Sequence, residues 1–173
     1  FPAGARALSP AADAITYMSL MNSRNLQFVI GEQVIGAPIV EKMGIEAIPM
    51  GYIVFAPGGK VGAVGEANLI ESDDVETAVA YALAAKMLGF KMVYLEAGSG
   101  VDRPVNSTIV RAVREAIPEL ILIVGGGMRT GELAQKSVRA GADWIVTGNL
   151  TEEYDDASEL ENVMREYIQT MRE

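Results

Sequence analysis

The sequence predicts an α/β fold built on parallel strands, and three observations carry that expectation. Strand-like and helix-like segments alternate along the chain. The links between successive strands are long and helical, which makes neighbouring strands parallel. Half of the 173 residues are hydrophobic but only 6% are aromatic, so Ala, Val, Ile, Leu, Gly and Met supply the core, as in buried strands covered by helices. An open doubly wound sheet and a barrel both satisfy this pattern. With no internal repeat and no low-complexity linker, residues 1–173 are expected to form a single domain.

Taken in order, Phe1-Pro2-Ala3-Gly4 reads as the end of a strand running into a loop. Ala14–Met21 is the first complete strand. The stretch from Asn25 is mixed and ends in a helix over Ala37–Met43. Ala47–Phe55 is the next strand, followed by the turn signal Pro57-Gly58-Gly59 and a Gly-rich loop or hairpin through Gly65. Ser72 is placed to cap a helix over Asp73–Leu88, with Asp73, Asp74 and Glu76 in the first turn, where the helix dipole favours anions, and Gly89 beyond its end. Lys91–Glu96 is a strand and Ser107–Ala116 a helix. Leu120–Val124 is a strand running into Gly125-Gly126-Gly127, and Thr130 caps a helix to Ala140. Trp144–Thr147 is the last strand. The final helix, Ala157–Met171, sets Leu160, Val163, Met164, Tyr167, Ile168 and Met171 at helical spacing, the signature of a core-facing stripe.

Composition excludes several chemistries. Lys plus Arg is 14 and Asp plus Glu is 23, a formal net charge of −9. That disfavours nucleic acid, whose binding draws on basic groups meeting phosphates. There is no Cys and no His, which removes disulfides, thiolate or imidazole metal sites and a Ser-His-Asp triad. Carboxylates, Lys, Tyr, backbone N–H groups or an added metal must do the work. No apolar run is long enough for a membrane span and no signal peptide is read, so the cytoplasm is the expected compartment.

Three segments carry chemistry. In Lys91–Gly100, side chains alternate along the strand, so Val93 and Leu95 share one face while Met92, Tyr94 and Glu96 share the other. In a barrel that second face points inward, with Glu96 at the C-terminal end where barrel active sites lie. The alternative is a salt-bridged rim Glu. Gly98-Ser99-Gly100 lets the backbone approach a ligand, or is an ordinary tight turn. The other two segments are strands ending in glycine, Ile121–Gly127 and Asp143–Asn149. Their exposed N–H groups are suited to an anion, with Arg129 near enough to add charge, and paired loops after the last two strands form the common phosphate site of barrels. A Rossmann fingerprint is excluded by position, because the next strand ends in Thr147-Gly148-Asn149 and not in an acidic residue. Glu71-Ser72-Asp73-Asp74 reads as a capping device and Glu152-Glu153 with Asp155-Asp156 as a solvated loop. Asn22-Ser23-Arg24 either touches an anion or caps a loop. Tyr52, within its strand, reads as core.

The segments YLEAGSG (Tyr94–Gly100), VGGGMRTG (Val124–Gly131), ADWIVTGN (Ala142–Asn149), MSLMNSRN (Met18–Asn25) and IPMGYIVFAPGG (Ile48–Gly59) resemble, in the same order, the geranylgeranylglyceryl phosphate synthase family of archaea, to which bacterial heptaprenylglyceryl phosphate synthases are related. The resemblance covers nearly the whole chain. It implies a modified (β/α)8 TIM-type barrel, here lacking about the first two to three strands, so that residues 1–173 are its C-terminal portion with strands four to eight. It implies a prenyltransferase that joins a prenyl diphosphate, geranylgeranyl diphosphate in the archaeal case, to the 3-hydroxyl of sn-glycerol 1-phosphate. Magnesium is the implied cofactor and archaeal ether-lipid synthesis the implied setting.

The same resemblance assigns the glycerol phosphate to Tyr94, Leu95, Glu96, Ala97, Gly98, Ser99 and Gly100, with Gly125, Gly126, Gly148 and Asn149. Catalysis falls to Glu96 and Tyr94, with Glu96 as the base at the glycerol hydroxyl, and Tyr52 is placed in the prenyl channel. One departure stands out. The magnesium-binding Asp and the hydroxyl residue of the family's first two strands have no counterpart, so no metal ligand is expected within this chain. The missing segment is expected to be disordered, cleaved or absent from the sequence as given, which an intact mass would decide. A homo-oligomer and transient membrane contact are expected partners. The alternatives are another phosphate-binding barrel enzyme acting on a phosphorylated metabolite, which would have no long apolar groove, and a non-catalytic phosphate-binding module.

Overall fold

The computed structural model of the protein describes residues 4–173, so the strand end read at Phe1-Pro2-Ala3 lies outside the described residues. Five strands, β1 (Ala14–Leu20), β2 (Glu46–Gly58), β3 (Met92–Ser99), β4 (Ile121–Gly125) and β5 (Trp144–Val146), form one sheet in the order β1-β2-β3-β4-β5. Every pairing is parallel. A doubly wound sheet reverses its strand order at a switch point, and this order never reverses. It is the wall of a barrel.

The helices are α1 (Glu32–Met43), α2 (Gly59–Val64), α3 (Val75–Met87), α4 (Ser107–Ala116), α5 (Gly131–Arg139), α6 (Asn149–Glu152) and α7 (Ala157–Arg172). Strand alternation sorts the core into two clusters. Ile53, Phe55, Val93, Leu95, Leu122 and Val124 face outward and pack under Ala78, Ala82 and Ala85 of α3, Ile109, Val110 and Val113 of α4, and Tyr167 of α7. Leu20, Met50, Tyr52, Val54, Met92, Tyr94 and Ile123 face inward. The small side chains of α3 let that helix lie close on the sheet.

Several local expectations are corrected. Helix α1 begins at Glu32, after a π-helical turn over Gln27–Gly31, and runs through Pro38. The expected helix begins only at Ala37; the earlier start is supported by Gly36, buried against Ala5 and Leu8. The Gly59–Gly65 stretch is the short helix α2 and not a loop or hairpin. It starts where Gly59 bridges Ser99, so close that a Cβ on Gly59 would meet the Ser99 backbone. The cap of α3 is Asp74, whose carboxylate accepts the Thr77 N–H at 3.0 Å, and not Ser72. Strands β2 and β3 extend to Gly58 and Ser99, beyond the expected Phe55 and Glu96. In α7, Val163, Met164, Tyr167 and Met171 pack on the outer core, whereas Ile168 is exposed.

Among the described residues, β1 and β5 are each paired on one side only. An open edge invites non-native pairing. On β1 it is blunted by side chains: the Gln33 amide donates to the Met18 carbonyl, and the Tyr17 hydroxyl donates to the Gln33 carbonyl.

Candidate active site at the strand ends

The inward face of β3 delivers Tyr94 and then Glu96 to the C-terminal end of the sheet, opposite Ile123 and Gly125 of β4. Glu96 is 6% exposed. A carboxylate at that depth needs donors, and it has one for each oxygen. Its Oε1 accepts the Gly98 N–H at 2.6 Å, and its Oε2 accepts the Tyr52 hydroxyl at 2.7 Å. The rings of Tyr52 and Tyr94 stack with centroids 4.6 Å apart. Burial, reinforced by the Glu96 charge, pushes both phenols well above the ordinary tyrosine value. They therefore stay protonated even where an ordinary phenol ionises, and Tyr52 donates to Glu96.

The glycines after β4 are required by contact. A Cβ on Gly125 would collide with the Tyr94 hydroxyl, and one on Gly126 would fall on Glu96 Oε1 and the Gly98 backbone. Gly126 also has φ +79°, a conformation that glycine adopts without penalty. These two residues let the loop after β4 close over the carboxylate.

One cleft results, lined by Tyr94, Glu96, Ser99, Gly126, Gly148 and Asn149, with Arg129 and Thr147 at its side. Neighbouring loops brace it. The Asn149 Oδ1 accepts the Gly100 N–H at 3.1 Å, and the Thr147 hydroxyl donates to the Met128 carbonyl at 2.8 Å. Arg129 pairs with Glu153 at 2.8 Å and lies 3.7 Å from Asp102, tying together the loops that follow β3, β4 and β5. Chemically, the cleft offers backbone amides and hydroxyls on one side, for an anion, and a fixed carboxylate acceptor on the other, for a hydroxyl.

The remaining residues predicted for the site fall around the cleft. Leu95 and Ala97 point outward into the helix-covered core, so only their backbones are near. The amides of Gly98 and Gly100 already serve Glu96 and Asn149. Tyr52 lies in the inward cluster beneath Glu96. Asn22 and Ser23 are loop caps: Asn22 is buried on the backbone of Val54 and Asn68, and the Ser23 hydroxyl donates to the Gly65 carbonyl. Sequence reasoning missed the Tyr52–Glu96 bond. Alternation puts both side chains inside, but the diagonal reach between them depends on the β2–β3 register, in which Tyr52 lies opposite Tyr94 and Val54 opposite Glu96.

A second, apolar cavity opens between β1, α1 and α2, lined by Met18, Leu20, Phe28, Val40, Val61 and Val64. Tyr52 is not among its lining residues. Among the described residues no three Asp or Glu side chains come together as a metal site, and no helix is long and apolar enough to cross a membrane.

The family model described as the PcrB family matches residues 1–171. A geranylgeranylglyceryl phosphate synthase of Methanothrix thermoacetophila is 54% identical over 156 residues, which is 90% of this chain and 61% of that protein. The Methanococcoides burtonii enzyme of the same name is 51% identical over 90% of this chain and 63% of its own length. Among solved structures, (S)-3-O-geranylgeranylglyceryl phosphate synthase from Thermoplasma acidophilum, in complex with its substrate sn-glycerol-1-phosphate, superposes with a TM-score of 0.90 at 46% identity. That match covers 95% of this chain and 65% of the other. The chain thus spans less than two thirds of the length of these relatives.

Proposed function

The chain belongs to the PcrB family, and from that premise we propose that it carries the glycerol phosphate half of a geranylgeranylglyceryl phosphate synthase. The observation that carries this reading is the cleft at the strand ends whose walls bring together Glu96, Gly126 and Gly148. In this reading residues 1–173 are the C-terminal portion of the (β/α)8 barrel, strands four to eight. The phosphate of sn-glycerol 1-phosphate docks on the loops of Ser99, Gly126, Gly148 and Asn149, and Glu96 accepts a hydrogen bond from the 3-hydroxyl.

The hydroxyl oxygen attacks C1 of the prenyl chain. The bond from C1 to the diphosphate oxygen breaks, the diphosphate leaves with the electron pair, and the hydroxyl proton passes to Glu96. The chain's own task is to hold nucleophile and electrophile in line and to exclude water. The apolar cavity between β1 and α1 supports an apolar tail as the second reactant. Magnesium belongs to the family reading. The described residues hold no carboxylate cluster that fits it, and no step above passes through it. The reading places the protein in the cytoplasm, with transient contact at the membrane that takes up its lipophilic product. A homo-oligomer is part of the same reading, supported by the exposed apolar residues Leu26, Ile30, Val34, Ile35 and Ile39.

A product assay with sn-glycerol 1-phosphate and prenyl diphosphates of graded length tests the proposal. The expected product is a prenyl ether of glycerol phosphate, and Glu96→Gln is expected to lower turnover at least ~100-fold, on the scale of a lost general base, with little change in phosphate affinity. Calorimetry that finds no glycerol phosphate binding would reject the reading, and near-normal turnover of Glu96→Gln would remove Glu96 from the chemistry.

A further inference from the structure

We infer that Arg129 is the charge-reading residue of the cleft, its Nε–H donating to a phosphate oxygen and selecting the doubly charged form of the ligand. The inference deepens the phosphate site proposed above and rests on that reading. The site as proposed draws on Ser99, Gly126, Gly148 and Asn149, none of which carries a charge.

Three observations give Arg129 this task. Among the described residues that line the cleft it is the only cation, whereas Glu96 and Glu152 are carboxylates. A phosphate brought onto neutral amides beside two carboxylates is repelled, and a guanidinium in the same wall offsets that repulsion. Next, the Arg129 Nε is buried and has no hydrogen-bond acceptor among the described residues. A buried donor without an acceptor is costly, and an anion that accepts from it removes the cost. Finally, the side chain is held at the wall without this donor being used. Nη1 donates to Glu153 at 2.8 Å, while Asp102 Oδ1 stands 3.7 Å from Nε, beyond hydrogen-bond reach. The Arg129 N–H donates to the Gly127 carbonyl at 3.0 Å, so the turn that sets Gly126 also sets Arg129. The charged groups around the guanidinium are thus Glu96 of β3, Asp102 in the loop after it, and Glu152 and Glu153 at the end of α6.

The chain has no histidine, the side chain that ordinarily titrates between about pH 5 and 8. A step in affinity within that range therefore reports the second ionisation of the ligand, at about pH 6 for a phosphate monoester. Calorimetric affinities for sn-glycerol 1-phosphate are measured across the range in the wild type, Arg129→Gln, Arg129→Lys, Glu153→Gln and the Arg129→Gln/Glu153→Gln double variant. Sulfate, doubly charged throughout, is the control. The wild type is expected to bind glycerol phosphate more tightly as pH rises through the step, and sulfate equally at every pH. Arg129→Gln is expected to lose ~10- to 100-fold in affinity above the step, the scale of a hydrogen bond to a charged group, and to lose the step itself. Arg129→Lys keeps the step. Glu153→Gln releases Nη1 for a second bond to the phosphate and is expected to tighten binding ~2- to 5-fold, the scale of an exposed ion pair, a gain absent from the double variant. An Arg129→Gln variant that retains the step or binds as the wild type does overturns the inference. So does a pH step with sulfate, or weaker binding in Glu153→Gln, which would make the guanidinium a strut between loops. A wild type without affinity for sn-glycerol 1-phosphate rejects the phosphate site itself, and this inference with it.

Discussion

At Gly126 one hydrogen atom decides whether the cleft exists. Its φ of +79° is unfavourable for any L side chain, and a Cβ there would lie on Glu96 Oε1 and the Gly98 backbone. Gly126→Ala is therefore expected to cost about 1–2 kcal/mol from the backbone conformation alone. It should also displace the Glu96 carboxylate, so that under the proposed function affinity for glycerol phosphate falls further than affinity for inorganic phosphate. Paired denaturation and calorimetry measure both, and an alanine variant with wild-type stability and wild-type glycerol phosphate affinity would contradict the contact. The residue beneath it follows the same logic. Gly125 is glycine because the Tyr94 hydroxyl occupies the place of its Cβ, so the aromatic pair and the glycine run are a single packing unit.

The strands and their connections are held in place by a few buried side chains. Strand β1 ends at Leu20 while β2 continues past Val54, so beyond β1 the backbone of β2 is met by Ile70, whose N–H donates to the Val54 carbonyl at 3.3 Å, and by the side chain of Asn22. Its amide donates to the Val54 carbonyl at 2.8 Å and to the Asn68 carbonyl at 2.9 Å, and its Oδ1 accepts the Val54 N–H at 3.0 Å. Val54 lies opposite Glu96, and the β2 register shifts just beyond it, so Asn22, together with the Ile70 bridge, holds the stretch of β2 that backs the site. Asn22→Ala should strand buried backbone groups and lower the unfolding free energy by about 2–4 kcal/mol, since each unsatisfied group costs about 1–3. Chemical denaturation checks this, and a loss below about 1 kcal/mol would mean that water replaces the side chain. At the other end of the sheet Arg114 does comparable work, donating to the carbonyls of Gly141, Ile117, Pro118 and Leu120 and pairing with Asp143.

Across the whole molecule, the buried tyrosines couple stability to alkaline pH. Burial raises Tyr52 and Tyr94 well above the ordinary value and pushes Tyr167 up to about 12. In the unfolded chain each ionises near pH 10. A phenol whose folded pKa lies above its unfolded pKa contributes stability that is complete below about pH 10 and declines as pH rises past it. For Tyr167 the decline runs from about 10 to 12. Urea midpoints should therefore hold steady to about pH 9.5 and fall steeply above pH 10, with a shallower fall in Tyr167→Phe. A midpoint that is flat to pH 12 in the wild type would mean that these phenols ionise as readily in the fold as outside it. The absence of histidine removes the usual source of pH dependence between 5 and 8.

Much of this architecture was legible in the residues. Alternating strand and helix patterns gave five parallel strands. Period-two alternation put Tyr94 and Glu96 inside and Leu95 outside, and the glycine runs marked both loops that line the cleft with Glu96. These features rest on local physics: side-chain alternation, capping chemistry and the backbone freedom of glycine. Where the reading fell short, contacts between distant segments decide the outcome. Helix α1 starts ahead of the expected Ala37, with Gly36 buried against Ala5 and Leu8, and Gly59 starts a helix where Ser99 lies beside it. The Tyr52 hydroxyl finds Glu96 only through the register between β2 and β3. By itself, then, the sequence determined which residues face inward and where the chain can turn, because those properties depend on near neighbours along the chain. Only the tertiary structure decided which inward groups meet, because register and loop docking are set by burial and hydrogen bonding between segments far apart in sequence.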